Sequence, residues 1–110
     1  MADDHEPAVL TERVGHVLVV TLNRPDRMNT INGEVLVRFY DAMLEADSNP
    51  DIRVAIITGA GKNFCAGADL ARGSGSFQFD PSLPHLEYAD LLRFAWTTTL
   101  PLVARINGHC

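Results

Sequence analysis

Residues Arg53 to Leu70 read RVAIITGAGKNFCAGADL, and the fold turns on how this stretch divides. Its first part, RVAIITG, is almost continuously apolar and β-branched, the pattern of a strand in a sheet covered on both faces. Gly59 and Gly61 close the strand. Three small residues, Ala66, Gly67 and Ala68, then stand before Asp69. One reading is a tight loop opening onto a closely packed helix start. The other is a backbone that a ligand must approach, where larger side chains would obstruct it.

Working outward, Ala8–Arg13 and His16–Leu22 form two β-rich runs around Val14-Gly15, which predicts an antiparallel hairpin with Gly15 in the turn. HVLVVTL, residues 16–22, again reads as a strand covered on both faces. NRPDRMNTING, residues 23–33, breaks the pattern and predicts a loop, with Arg24-Pro25 setting its direction. From Glu34 to Ala46 the apolar residues Val35, Leu36, Phe39, Met43 and Leu44 recur at helical spacing, with Asn32 as N-cap and a stop at Pro50. Beyond the small-residue stretch, ARGSGSFQFDPSLP reads as a loop. A second amphipathic helix is expected over about 85–97, with Tyr88, Leu91, Leu92 and Ala95 on one stripe. LPLVARI, residues 100–106, is a fourth strand. The order β-β-α-β-α-β implies a mixed α/β domain with a helix against one sheet face. Val19 and Ile56 are expected in buried strands, and Phe94 and Trp96 in the core or against a segment outside the chain.

The 110 residues suffice for one small domain, and 46% hydrophobic with 21% charged residues is an ordinary globular composition. A net charge of −5 argues against nucleic-acid binding. Two cysteines, Cys65 and Cys110, make no disulfide framework. No apolar run reaches the length of a membrane span, and the acidic N-terminus has neither a secretory nor a transit pattern, so a cytoplasmic protein is expected.

Phosphate-binding motifs fail in detail. A P-loop needs Ser or Thr after Gly61-Lys62, where Asn63 stands, and a dinucleotide GxGxxG starting at Gly59 meets Phe64 at its last glycine. GSGSF has its serines out of frame for a nucleophile elbow. What remains is a helix N-terminus with free N–H groups and tiny side chains, able to stabilise negative charge on a carbonyl oxygen.

VVTLNRPDRMNTI, the later RVAIITGAGKNFCAGADL and the final LPLVARINGH, in that order and spacing, resemble the N-terminal part of the enoyl-CoA hydratase/isomerase, or crotonase, superfamily. The resemblance implies a crotonase-like ββα spiral fold, of which residues 1–110 would be the N-terminal portion. It implies an acyl-CoA thioester as substrate, its carbonyl held by two backbone N–H groups. One of these maps to Ala68, the candidate catalytic residue. Ala66, Gly67 and Ala68 would line the coenzyme A site, with the carbonyls of Ala66 and Ala68 near the adenine amino group. Arg27 is a candidate for the coenzyme A phosphates, although Asp26 stands where relatives often carry a basic residue.

The second N–H donor, in a glycine-rich turn after the NGH segment, and the acid/base carboxylates would both follow Cys110. The 110 residues alone are therefore expected to be close to inert. The resemblance further implies no cofactor beyond the coenzyme A of the substrate, no metal, and a parent assembled as a homotrimer or hexamer. The alternative is a non-catalytic acyl-CoA-binding or partner-interacting protein. Asp69 reads first as a helix-dipole partner, and His85 and Glu87 as surface or capping groups at the second helix. His109-Cys110 is too small a donor set for a metal.

Overall fold

The computed structural model describes residues 7–67 and 88–108. Strand β1 (Val9–Val14) turns into β2 (Val17–Leu22), and a single 3-10 turn follows at Pro25–Arg27. Helix α1 (Gly33–Ser48) leads to β3 (Val54–Gly59). Helix α2 (Tyr88–Thr97) precedes the short β4 (Leu102–Ala104). The strands lie side by side in sequence order, β1 antiparallel to β2 and the other pairs parallel. This is the mixed α/β order expected from the sequence. The expected start of the second helix, with His85 and Glu87, lies outside the described residues.

The hairpin turn sits one residue later than expected. Val14 still pairs with Val17, so the loop is Gly15-His16, and Gly15 takes the positive φ of +61° that a side chain disfavours. The main-chain carbonyl of His16 accepts a hydrogen bond from Arg53 N–H at 2.8 Å, which docks the turn at the start of β3.

Helix α1 begins as expected at Asn32, whose side chain accepts the Val35 N–H at 3.0 Å. It runs to Ser48, with Asn49 as C-cap just before Pro50. Its buried residues Val35, Leu36, Ala42, Met43 and Ala46 recur every three or four positions and face the sheet. Parallel pairing places Leu18, Val20 and Leu22 beside Ala55, Ile57 and Gly59, so these residues share the inner face. The core lies between that face and α1. Helix α2 closes one end of it, through Leu91 and through Phe94, whose ring meets Tyr40 of α1 at a 5.6 Å centroid distance.

On the outer face Val19 and Ile56 are less buried than expected. Val17, Val19, Val54 and Ile56 are half-buried, and Val14 at the hairpin end is 59% exposed. Continuous apolar runs predict strands able to take cover on both faces, but two amphipathic helices can cover little more than one, and here they occupy the inner one. Trp96 is not in the core: it is 89% exposed.

Candidate active site

The loop after β2 and the loop after β3 meet at the same end of the sheet, where these two parallel central strands finish. Pro25, with its fixed φ, opens the 3-10 turn, and Met28 and Asn29 then take left-handed φ values of 54° and 55°. Two consecutive non-glycine residues in that region are uncommon, and surrounding bonds over-determine them. Asn29 N–H donates to the Arg24 carbonyl at 2.8 Å, and Asn29 Oδ1 accepts the Arg24 N–H at 2.8 Å. The Arg24 guanidinium donates to the Thr30 carbonyl at 2.7 Å. Arg24 therefore ties the loop to itself as well as directing it.

This shape aligns residues 28–31 with the small-residue stretch. Ala66 N–H donates to the Met28 carbonyl at 3.1 Å, and Ile31 N–H donates to the Gly67 carbonyl at 2.8 Å. Two main-chain bonds thus join motifs more than thirty residues apart. Ala66 and Gly67 are exposed at this junction. Gly67 has φ +104°, and a β-carbon there would meet nothing within 4 Å. Its glycine is required by backbone conformation rather than by crowding from the protein.

Gly59 is the crowded one. A β-carbon on it would collide with the carbonyl oxygens of Asn63 and Phe64. The Gly59–Asn63 loop is held from both sides by asparagine side chains. Asn29, 1% exposed, donates from Nδ2 to the Ala60 and Asn63 carbonyls at 2.9 and 2.8 Å. Asn107, beyond β4, donates to the Gly59 and Gly61 carbonyls at 2.9 and 3.0 Å and accepts the Gly59 N–H at 3.2 Å. Sequence reading missed both residues. The signal was an asparagine in each of two separate motifs beside the same glycine-rich loop.

Arg27 is exposed on the outside of the first loop. With Arg24, Asp26, Asn32 and Glu34 it lines a polar hollow of about 280 Å³. It directly precedes Met28, whose carbonyl accepts the Ala66 N–H. Among the predicted site residues, the structure thus brings Arg27, Ala66 and Gly67 to one end of the sheet, while Ala68 and Asp69 lie outside the described residues. A second cavity of about 260 Å³ lies under the junction. Its lining is apolar and includes Leu22, Ile31, Phe39, Met43, Ile57 and Phe64. Among the described residues no cluster of His, Cys, Asp and Glu is fit to hold a metal, and no helix is long and apolar enough to cross a membrane. His109 and Cys110 are outside that set.

Comparison with known proteins gives this arrangement a context. The family model described as enoyl-CoA hydratase/isomerase matches residues 12–110. The enoyl-CoA hydratase EchA19 of Mycobacterium tuberculosis is 39% identical over 106 residues, covering 93% of this chain and 40% of that protein. The (E)-benzylidenesuccinyl-CoA hydratase of Thauera aromatica is 35% identical, covering 92% of this chain and 40% of its own length. The crystal structure of carnitinyl-CoA hydratase from Mycobacterium avium superimposes with a TM-score of 0.78 at 37% identity, covering 94% of this chain and 40% of that one. The chain thus spans about 40% of the length of these relatives.

Proposed function

The chain belongs to the enoyl-CoA hydratase/isomerase family, and from that premise we propose that it forms the acyl-CoA-binding portion of a crotonase-type enzyme. The thioester carbonyl oxygen accepts a hydrogen bond from the Ala68 N–H. Coenzyme A lies along Ala66, Gly67 and Ala68, with its phosphates toward Arg27. The N–H is a fixed dipole aimed at charge that grows as the thioester becomes enolate-like, and such donors are worth roughly 10²–10³ in rate each.

The observation that carries the reading is the pair of main-chain bonds joining Met28 and Ile31 to Ala66 and Gly67. They consume the Ala66 N–H and the Gly67 carbonyl within the protein. A peptide unit is planar, so a bond accepted by the Gly67 carbonyl constrains the unit that carries the next N–H. Bonds in such a chain also polarise one another, which favours that N–H as a donor.

Residues 1–110 act here as the N-terminal portion of a crotonase-like domain. On this reading they supply one donor, while the second donor and the carboxylates that move protons come from outside them. A polypeptide of residues 1–110 alone is therefore expected to show no hydration of crotonyl-CoA. The same reading places the enzyme in the cytoplasm as a homotrimer or hexamer, and it invokes no cofactor, because coenzyme A arrives with the substrate.

The test is calorimetric titration of the full-length protein with a non-reactive acyl-CoA. Arg27→Ala should raise Kd about tenfold, in line with loss of one solvent-accessible charge-assisted contact. Unchanged affinity removes Arg27 from the phosphate site, and no binding by the unmodified protein overturns the reading itself.

A further inference from the structure

We infer that Asn29 and Asn107 are positioning residues for the thioester site: their carboxamides form a two-sided clamp that sets the geometry of the backbone presented at Ala66 and Gly67. The inference rests on the acyl-CoA reading above and extends it to residues that touch neither substrate nor reacting atoms.

The clamp is specific in its chemistry. Asn29 uses its side chain completely, Oδ1 for the Arg24 N–H and both Nδ2 hydrogens for the Ala60 and Asn63 carbonyls, all between 2.8 and 2.9 Å. With two carbonyls on one side and an N–H on the other, only an amide satisfies all three at this size. Aspartate keeps the acceptor and loses both donors; leucine loses everything. Asn107 repeats the arrangement from the end of β4. It accepts from Gly59 N–H and Thr58 Oγ1, and donates to the carbonyls of Gly59 and Gly61. Its Nδ2 also approaches the Asn63 carbonyl at 3.5 Å, so the two clamps converge on one atom.

Asn29 is linked to the site by its backbone as well. Its left-handed conformation turns the chain so that Met28 offers its carbonyl to Ala66 and Ile31 offers its N–H to Gly67. Asn63 lies three residues before Ala66, so its grip fixes where the small-residue stretch starts. Residues 28–31 fix where it ends. A core that needed only to be filled would not require this set of directional bonds, and an apolar loop would leave the carbonyls of Ala60 and Asn63 without donors. Displacing a reacting group by about 1 Å costs roughly 10² in rate, so a small slip of this loop is enough to matter.

The experiment uses the full-length protein and a chromophoric cinnamoyl-CoA, whose absorption moves to longer wavelength when its thioester carbonyl is polarised. Asn29→Asp and Asn107→Asp are compared with the unmodified protein by bound-state spectrum, kcat, KM and thermal melting. We expect each variant to lose most of the red shift and about 10² in kcat, with KM held within about twofold, well below its melting temperature. A variant that melts earlier but keeps the red shift and kcat shows a structural role only, and overturns the inference. Should Asn29→Asp not fold, the half-buried Asn107→Asp decides on the same criteria. Absence of any red shift in the unmodified protein overturns the acyl-CoA reading and this inference together, and is distinct from a shift that the variants retain.

Discussion

Met43 and Asn29 are each only 1% exposed, yet they hold their surroundings by opposite means. Met43 lies on the sheet-facing side of α1 among Val20, Val35 and Ala46, where stability comes from apolar area removed from water. That force has no direction, and a flexible thioether can fill the space in more than one way. Asn29 stands at the carboxyl end of the central strands with three directed hydrogen bonds to main chain, on a backbone in the left-handed region. The first region makes the domain compact. The second places particular backbone groups at the surface, and the proposed site sits there. Packing tolerates a change of shape that preserves volume, whereas a polar clamp tolerates almost none.

Substitution at both positions sharpens this contrast. Asn29→Leu preserves approximate size but strands the Arg24 N–H and two carbonyls, each worth about 1–3 kcal/mol when buried without a partner. It should be the most destabilising change here, seen as a large drop in urea midpoint. Equal stability of this variant and the native protein would break the distinction. Met43→Ala opens a cavity and should cost about 2–5 kcal/mol, while Met43→Leu should cost less than about 1.5 kcal/mol. If Met43→Leu proves as harmful as Met43→Ala, the core is as shape-specific as the clamp. A third asparagine, Asn32, makes one cap bond to Val35 N–H at the start of α1. Asn32→Ala should cost about 1 kcal/mol in urea unfolding, far less than Asn29→Leu, because it removes a single cap bond at a helix start.

These differences also explain what could be read from the chain beforehand. Asn32 was legible because a cap is a local arrangement, written in the residues beside it. The strands and their order were legible from apolar runs and turn residues. That Val19 and Ile56 are only half-buried was not, because an apolar run states that a residue can be buried without saying what covers it. The hairpin turn moved by one residue because Gly15 accommodates either position and cross-strand pairing chooses. At the site, the small residues of Ala66 and Gly67 marked the right segment. The partners Met28 and Ile31 were hidden, since two main-chain bonds across more than thirty residues leave no trace in side-chain identity. In sequence, Asn29 stands in the loop predicted over residues 23–33 and Asn107 just past the predicted fourth strand, with nothing beside either to mark a partner. Their function depends on which distant carbonyls meet their amides, which only the fold determines.

In the proposed site, everything depends on the backbone N–H of Ala68 polarising a bound thioester carbonyl. The direct measurement is the isotope-edited infrared band of a ¹³C-labelled, non-reactive acyl-CoA bound to the full-length protein, compared between the native sequence and Ala68→Pro, with circular dichroism to establish that the variant is folded. Proline removes the N–H and leaves the carbonyl chain intact. The bound band should lie at lower wavenumber than in water, with most of that shift lost in Ala68→Pro. A band unmoved on binding, or a shift fully retained in the folded Ala68→Pro protein, would contradict that role for Ala68.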